Sequence, residues 1–195
     1  MKVKLYAGLL SSCLLATTLL QGCATSVKAS GMQNPPPREA FSNFGRIEVK
    51  PMVFRSGYVG DSAGLAKIEE NLKKDLSASL TNWNARPSNG RTLVLEPVIE
   101  ELEFKHGAKR VLLGPLAGSS GVLVRIKISD VNGVVVALPE FFQRADAFAA
   151  GFVMGVHDNL MLTRVANLAS SYIIANYDHP QGGPTGADAK NITGR

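Results

Sequence analysis

The chain has 195 residues and a formal net charge of +5, with hydrophobic residues at 45%, charged at 19% and aromatic at 7%. These proportions lie near globular averages and exclude a wholly disordered, collagen-like or disulfide-dense chain. If the first 22 residues form a removable leader, the 173 that remain suffice for one domain with its own core.

Lys2 and Lys4 precede an apolar stretch from Leu5 to Leu20, the layout of a secretory signal with a basic start and a short apolar middle. Ser11, Ser12, Thr17 and Thr18 dilute this stretch, which disfavours a transmembrane anchor of about 20 apolar residues. It runs into Leu20-Gln21-Gly22-Cys23, which resembles the bacterial lipobox. The resemblance implies cleavage after Gly22 and acylation of Cys23, which then binds the membrane through its acyl chains. Cutting at Cys13 instead would strand Leu14 to Leu20 outside too short an apolar region. By the same resemblance, Ala24 in place of an Asp after the acylated Cys implies the outer membrane of the cell envelope; an anchor facing the periplasm is a separate expectation, since these residues do not encode the leaflet. Loss of the leader also removes Cys13, so Cys23 is the one thiol of the mature chain and acylation consumes it. Loss of Lys2 and Lys4 leaves 19 Lys+Arg against 16 Asp+Glu, a net +3. With no run of five basic residues, a nucleic-acid partner is not expected.

Residues 23–43 contain Ser26, Ser30, Gly31 and the run Pro35-Pro36-Pro37 without apolar periodicity, which predicts a tether with a stiff polyproline kernel. Fully extended, it would reach about 60 Å at roughly 3.1 Å per residue. One domain is expected over residues 44–178. Ile47, Val49 and Val53 alternate through Arg46 to Phe54, where Pro51 predicts an edge strand or a bulge. After Asp61-Ser62, Leu65, Ile68, Leu72, Leu76, Leu80 and Trp83 recur at helical spacing. Pro87-Ser88-Asn89-Gly90 breaks the chain before a long strand over Thr92 to Phe104. Gly121 to Ser129 alternates Val122, Val124, Ile126 and Ile128 against Arg125 and Lys127, and Asp130-Val131-Asn132-Gly133 turns it into a strand over Val134 to Phe142. Leu162, Val165, Ala166, Ala169, Tyr172 and Ile173 predict a second amphipathic helix over Asn159 to Tyr177, and the Gly- and Pro-rich residues 179–195 predict a disordered tail. The predicted fold class is α/β: a single domain with a mixed sheet of about four strands packed by two amphipathic helices, in β-α-β-β-β-α order. Its crossover is right-handed if the first two strands are parallel.

Two stretches stand apart from this scaffold. Gly107 to Gly121, with Arg110, Gly114 and Gly118, permits tight turns, yet it has neither the Lys-Ser/Thr of a phosphate loop nor a dinucleotide fingerprint, so a connection between strands explains it best. Pro139 to Asn159 contains an apolar run, Ala147 to Val156, with Gly151 and Gly155 at small-residue spacing; it is too short to span a bilayer and is expected to be buried. Around it gather Glu140, Gln143, Arg144, Asp158, Asn159 and Arg164, which could line a pocket with Arg110. Ion pairing and a cap on the last helix account for them more simply. His106, His157 and His179 lack metal-ligand spacing, and neither G-x-S-x-G nor H-E-x-x-H occurs. No cofactor, metal or catalytic residue is expected, and an enzymatic site would have to be built from Glu140, Arg144 and Asp158.

The Gly107, Arg110, Gly114 and Gly118 loop, the Asp130 to Gly133 turn, Pro139-Glu140-Phe141 with Gln143-Arg144, and Asp158-Asn159 followed by Leu162 and Arg164 together resemble a group of bacterial lipoproteins carrying a domain of unknown function. That domain is similar to TolB amino-terminal and CsgG-type envelope domains. The resemblance spans Phe44 to Tyr177 and implies no reaction. The expectation is a non-catalytic envelope lipoprotein, serving as a protein-interaction or envelope-assembly module with a periplasmic or outer-membrane protein partner. Its candidate binding residues are Arg110, Gly114, Gly118, Glu140, Gln143, Arg144, Asp158 and Asn159. The alternatives are a homo-oligomeric ring or pore accessory for export, and an enzyme.

Overall fold

In a computed structural model, residues 27–104, 120–145 and 156–187 are described, residues 156–158 by their backbone alone. The leader, Cys23, Arg110, Gly114, Gly118, nearly all of the apolar run from Ala147 and residues 188–195 lie outside the described residues. In chain order the elements are β1 (Gln33–Asn34), a 3-10 turn (Phe41–Asn43), β2 (Arg46–Val49), β3 (Val53–Phe54), α1 (Ser62–Asn84), β4 (Thr92–Glu103), β5 (Ser120–Asp130), β6 (Val135–Ala137), β7 (Glu140–Ala145), α2 (Val156–Ala175) and β8 (Gly183–Pro184).

Prolines divide two of the expected strands. β2 and β3 both pair in parallel with β4, and between Val49↔Leu95 and Val53↔Val98 the outer strand gains one residue, a bulge at Pro51. The carbonyls of Leu95 and Ile99 accept from Lys50 and Arg55, so alternate residues of β4 turn their main-chain polar groups toward this edge. Pro97 falls between them, and its missing N–H faces the break, where no ladder bond is lost. On the other side β5 runs antiparallel to β4 and pairs with both β6 and β7, which are separated at Leu138-Pro139. The result is a mixed sheet about four strands wide, as the alternation predicted. The turn is also as predicted: Asp130 Oδ1 accepts the N–H groups of Asn132 (2.8 Å) and Val134 (2.9 Å), and Gly133 supplies a positive φ of 82°.

Both helices follow their periodicity. Asp61 caps α1 by accepting Gly64 N–H at 2.6 Å, and the helix ends before Arg86-Pro87, where the residue ahead of proline leaves the α region. Ile68, Leu72 and Leu76 of α1 and Met161, Val165, Ala169, Tyr172 and Ile173 of α2 share one core with Leu93, Leu95 and Ile99 of β4 and Val122, Val124, Ile126 and Ile128 of β5. The opposite sheet face carries Glu96, Val98, Glu100, Arg125 and Lys127. There Lys127 meets Glu96 at 2.8 Å and Arg125 meets Glu100 at 2.9 Å, cross-strand pairs on a half-exposed surface.

The two ends depart from expectation. The described part of the expected tether is docked along the domain. Val27, Phe41 and Phe44 are buried, Arg38 N–H bonds Val136 O at 3.0 Å, and the N–H groups of Phe41 and Ser42 bond the carbonyls of Asn176 and Tyr177. The expected disordered tail, as far as residue 187, is docked too. β8 pairs antiparallel with β1, and Thr185 is buried between Met32 and Phe142 through main-chain bonds to both. Neither segment shows periodicity because each buried residue fills a separate slot in the body. A polyproline segment has no internal hydrogen bonds, so its carbonyls stay free to bond outward: Pro35 O accepts Tyr172 OH at 3.1 Å. The folded body therefore extends beyond the expected limits of 44 and 178 at both ends.

The outer edge of β2 is closed by a side chain. Asn84, at the end of α1, accepts Ile47 N–H at 2.8 Å and donates to Ile47 O at 2.9 Å, taking the place of a neighbouring strand. Asn84→Ala leaves both groups unpaired and is expected to lower the unfolding free energy by about 1–3 kcal/mol, read from urea denaturation midpoints. Asn84→Asp keeps the acceptor but sets an oxygen against Ile47 O, and it should cost no less.

Candidate functional site

The amino-terminal strap, the carboxy-terminal segment and α2 converge on β7, where three of the sequence-derived candidates lie. Asn34 Nδ2 donates to Glu140 O at 2.8 Å while its Oδ1 accepts Glu140 N–H at 2.9 Å, and one residue pair further along Phe142 N–H donates to Thr185 O at 2.7 Å. The exposed edge of β7 is thus closed by one side chain and one main-chain carbonyl, much as Asn84 closes β2.

The Glu140 side chain, 9% exposed, accepts from both the N–H and the hydroxyl of Ser30. Arg125 stands opposite it in register and approaches to 3.8 Å while also pairing with Glu100. A nearly buried carboxylate needs such partners, and here they fasten the strap to the sheet. Val27 packs with Leu123 and Phe142 in a small cluster of its own on this same outer face, with Ala29 against it.

Tyr172 holds the strap from the helix side. Its ring meets Phe141 edge-on at 5.8 Å, its hydroxyl donates to Pro35 O, and burial pushes its pKa up to about 12. Asn176 completes the arrangement: Nδ2 donates to the carbonyls of Tyr172 and Gly182, and Oδ1 accepts from Gln181 and Gly182. Where the strap leaves the far end of the sheet, Arg91 forks onto Glu39 at 2.7 and 2.9 Å and lies 4.2 Å from the centre of the Phe44 ring. The Arg91 hydrogen bond holds the Glu39 carboxyl below its ordinary value, so this tie is present above pH 4.5 and is lost as the pH falls through the lowered value.

Glu140, Phe142 and Arg144 alternate onto the outer face, while Phe141 and Gln143 turn toward the helices, since neighbouring strand residues point to opposite sides. Glu140 and Arg144 are four residues apart along the strand, about 13 Å at 3.3 Å per residue. Asn159 is exposed on α2, where its carbonyl accepts Thr163 Oγ1 at 2.9 Å, and the Asp158 side chain lies outside the described residues. The described candidates therefore do not line one pocket. Glu140 is engaged in holding the chain together, and Gln143 is buried beside Gly186 and Leu168. Among the described residues no cluster of His, Cys, Asp and Glu is arranged for a metal, and no helix is long and apolar enough to cross a membrane.

Sequence reasoning missed Ser30, Asn34, Tyr172 and Asn176 as the fastenings of the strap. The signal in the sequence is local: Gly182 and Gly186, with φ of 78° and 85°, belong to a glycine cluster that encodes left-handed turns rather than the expected disorder.

No protein-family model matches the chain, and no curated protein matches it. Among solved structures, the chain is similar to PelC from Paraburkholderia phytofirmans, crystallised as a dodecamer, with 16% identity, coverage of 76% of this chain and 96% of PelC, and a TM-score of 0.44. It is also similar to a minor lipoprotein from Acinetobacter baumannii, with 12% identity, coverage of 71% of this chain and 99% of the other, and a TM-score of 0.39.

Two tests address the strap. The fold accepts the neutral Tyr172 phenol, so the unfolded chain, titrating near pH 10, gives up this proton first. The stabilising contribution is complete below pH 10 and is lost as the pH rises toward 12, at no more than about 1.4 kcal/mol per unit. Tyr172→Phe should therefore cost about 1 kcal/mol at neutral pH, and the deficit should shrink above pH 10 when urea midpoints of the two proteins are compared. Gly182→Ala forces a left-handed φ on alanine and drives its Cβ toward Asn34 O and Pro36 N. It should destabilise by at least 1–2 kcal/mol, with faster hydrogen exchange at Phe142 N–H and across residues 27–43.

Proposed function

We propose that the protein is a lipid-anchored lipoprotein of the bacterial cell envelope, held in the outer membrane through acyl chains on Cys23, and that its domain is a non-catalytic module for binding a protein partner. The observation that carries this reading is the use made of the candidate polar residues. Glu140, the most buried carboxylate among the described residues, is occupied by Ser30 and Arg125, and Gln143 leaves the opposite face of the same strand. Catalysis by Glu140 and Arg144 would require a carboxylate free to exchange protons near a shared substrate space. Binding has no such requirement.

Bonds to outward main-chain groups on both lateral edges narrow where a partner can dock. Ile47 on β2, Val136 on β6, and Glu140 and Phe142 on β7 all have outward main-chain groups bonded by other parts of the chain. A partner that adds a strand to the sheet would first have to displace those bonds. The loops entered after Glu103 and Ala145 leave from one end of the sheet, next to Ser120, and they are the surface assigned here to the partner.

Expression in a Gram-negative host provides the test. The mature protein should carry a diacylglyceryl thioether at Cys23 by mass spectrometry and fractionate with outer membranes, and Cys23→Ala should abolish both. Photo-crosslinkers at Leu116 and Phe152 should capture a distinct envelope protein. Capture of a second copy of this chain would make the same surface a self-assembly face, and a bare sulfur on Cys23 would end the envelope assignment.

A further inference from the structure

The docked strap changes what the lipid anchor does. Val27, 1% exposed, is already fixed to the body by Leu123 and Phe142, and it follows Cys23 by four residues. Four residues span at most about 14 Å in any conformation. An undocked segment reaching to Asn43 would span about 60 Å at 3.1 Å per residue. The strap also has a direction. It begins beside Leu123 and Phe142, near the sheet end formed by Ser120 and Ala145, passes Asn34 at Glu140, and reaches Arg38 at Val136 toward the other end. The Asp130 to Val134 turn lies at that other end, and Asp130, where it begins, is seven residues along β5 from Leu123, about 23 Å at 3.3 Å per residue.

Resting on the reading of Cys23 as the acylated residue, we propose that the strap seats the domain directly on the bilayer. The outer-face cluster of Val27, Leu123 and Phe142, and the Ser120–Ala145 end of the sheet, lie at the lipid headgroups, while the Asp130–Val134 turn points away from them. Lys28, exposed beside this cluster, supplies a cation at headgroup level. The bonds of Ser30 and Asn34 to Glu140, the Tyr172 bond to Pro35 and the β1–β8 pairing thus hold the membrane-facing side in position as well as stabilising the fold. Glu103 and Ala145, the strand ends ahead of the two loops proposed to bind a partner, lie at this same end of the sheet.

The chemistry of the mature chain makes the test selective. Acylation consumes Cys23, so an introduced cysteine is the one reactive thiol. The acylated full chain carrying Glu101→Cys, on the body opposite Leu123 in register, or Asn132→Cys, each labelled with a fluorophore, is reconstituted into vesicles of phosphatidylethanolamine and phosphatidylglycerol containing a nitroxide-headgroup lipid. Quenching should be several-fold stronger at position 101 than at position 132. Releasing the strap with Val27→Asp and Asn34→Ala should abolish most of that difference while flotation with the vesicles persists. Equal quenching at the two positions in a floating, strap-intact protein would overturn the seating and leave the anchor intact. A protein that does not float and whose Cys23 takes up the label would overturn both.

Discussion

A sheet and two chain ends leave main-chain N–H and C=O groups along their margins, and each such group costs about 1–3 kcal/mol if it is buried without a partner. This structure meets that demand largely with asparagine. Asn84 serves Ile47 and Asn34 serves Glu140; Asn89 accepts Gly45 N–H and donates to Asn43 O, and Asn176 joins the end of α2 to Gly182. An asparagine amide offers one donor and one acceptor on a short stem, so it can take the place of a peptide group from another strand without contributing a strand. Two of these four close opposite edges of the sheet, and the other two hold turns at the end of the sheet where the strap departs.

Closing the edges in this way has two effects. It removes the open ladder through which strands of separate molecules pair, and it makes the two terminal segments part of the fold. Val27 and Phe41 fill apolar slots, while Pro35 and Thr185 form hydrogen bonds across the strap and the carboxy-terminal segment. The outer sheet face is then shared between a small apolar cluster under the strap and a charge ladder in which Lys127 and Arg125 face Glu96, Glu100 and Glu140. Each of those two cations lies opposite a carboxylate, so their charges are balanced along the ladder.

Much of the architecture was legible because it is periodic. The 3.6-residue recurrence from Leu65 to Trp83 and the two-residue alternation from Val122 to Ile128 locate α1 and β5 to within a residue or two, and Asp130 with Gly133 specifies its turn through local hydrogen bonds and one positive φ. Pro51 was legible as a bulge in an edge strand, whereas the break at Pro139 inside the expected Val134 to Phe142 strand was not. Pro51 and Pro139 each divide a strand whose halves remain paired to the same neighbour, because a bulge or a short bend restores the register. The candidate site was less legible. Glu140 and Gln143 are close in sequence, yet the pleat sends them to opposite faces.

The amino-acid sequence by itself determined the class of the fold, the order of its elements and the residues of the main core, since helices and strands each impose a repeat that apolar side chains must follow. Tertiary structure alone decided the fate of the non-periodic ends. A polyproline run followed by single aromatic residues, and a glycine-rich segment near the carboxy terminus, have no local repeat to satisfy; their order comes from slots and bonding groups contributed by residues more than a hundred positions away, as Asn34 depends on Glu140 and Tyr172 on Pro35. Only when the sheet presents those unpaired groups do the two ends acquire a place to bind.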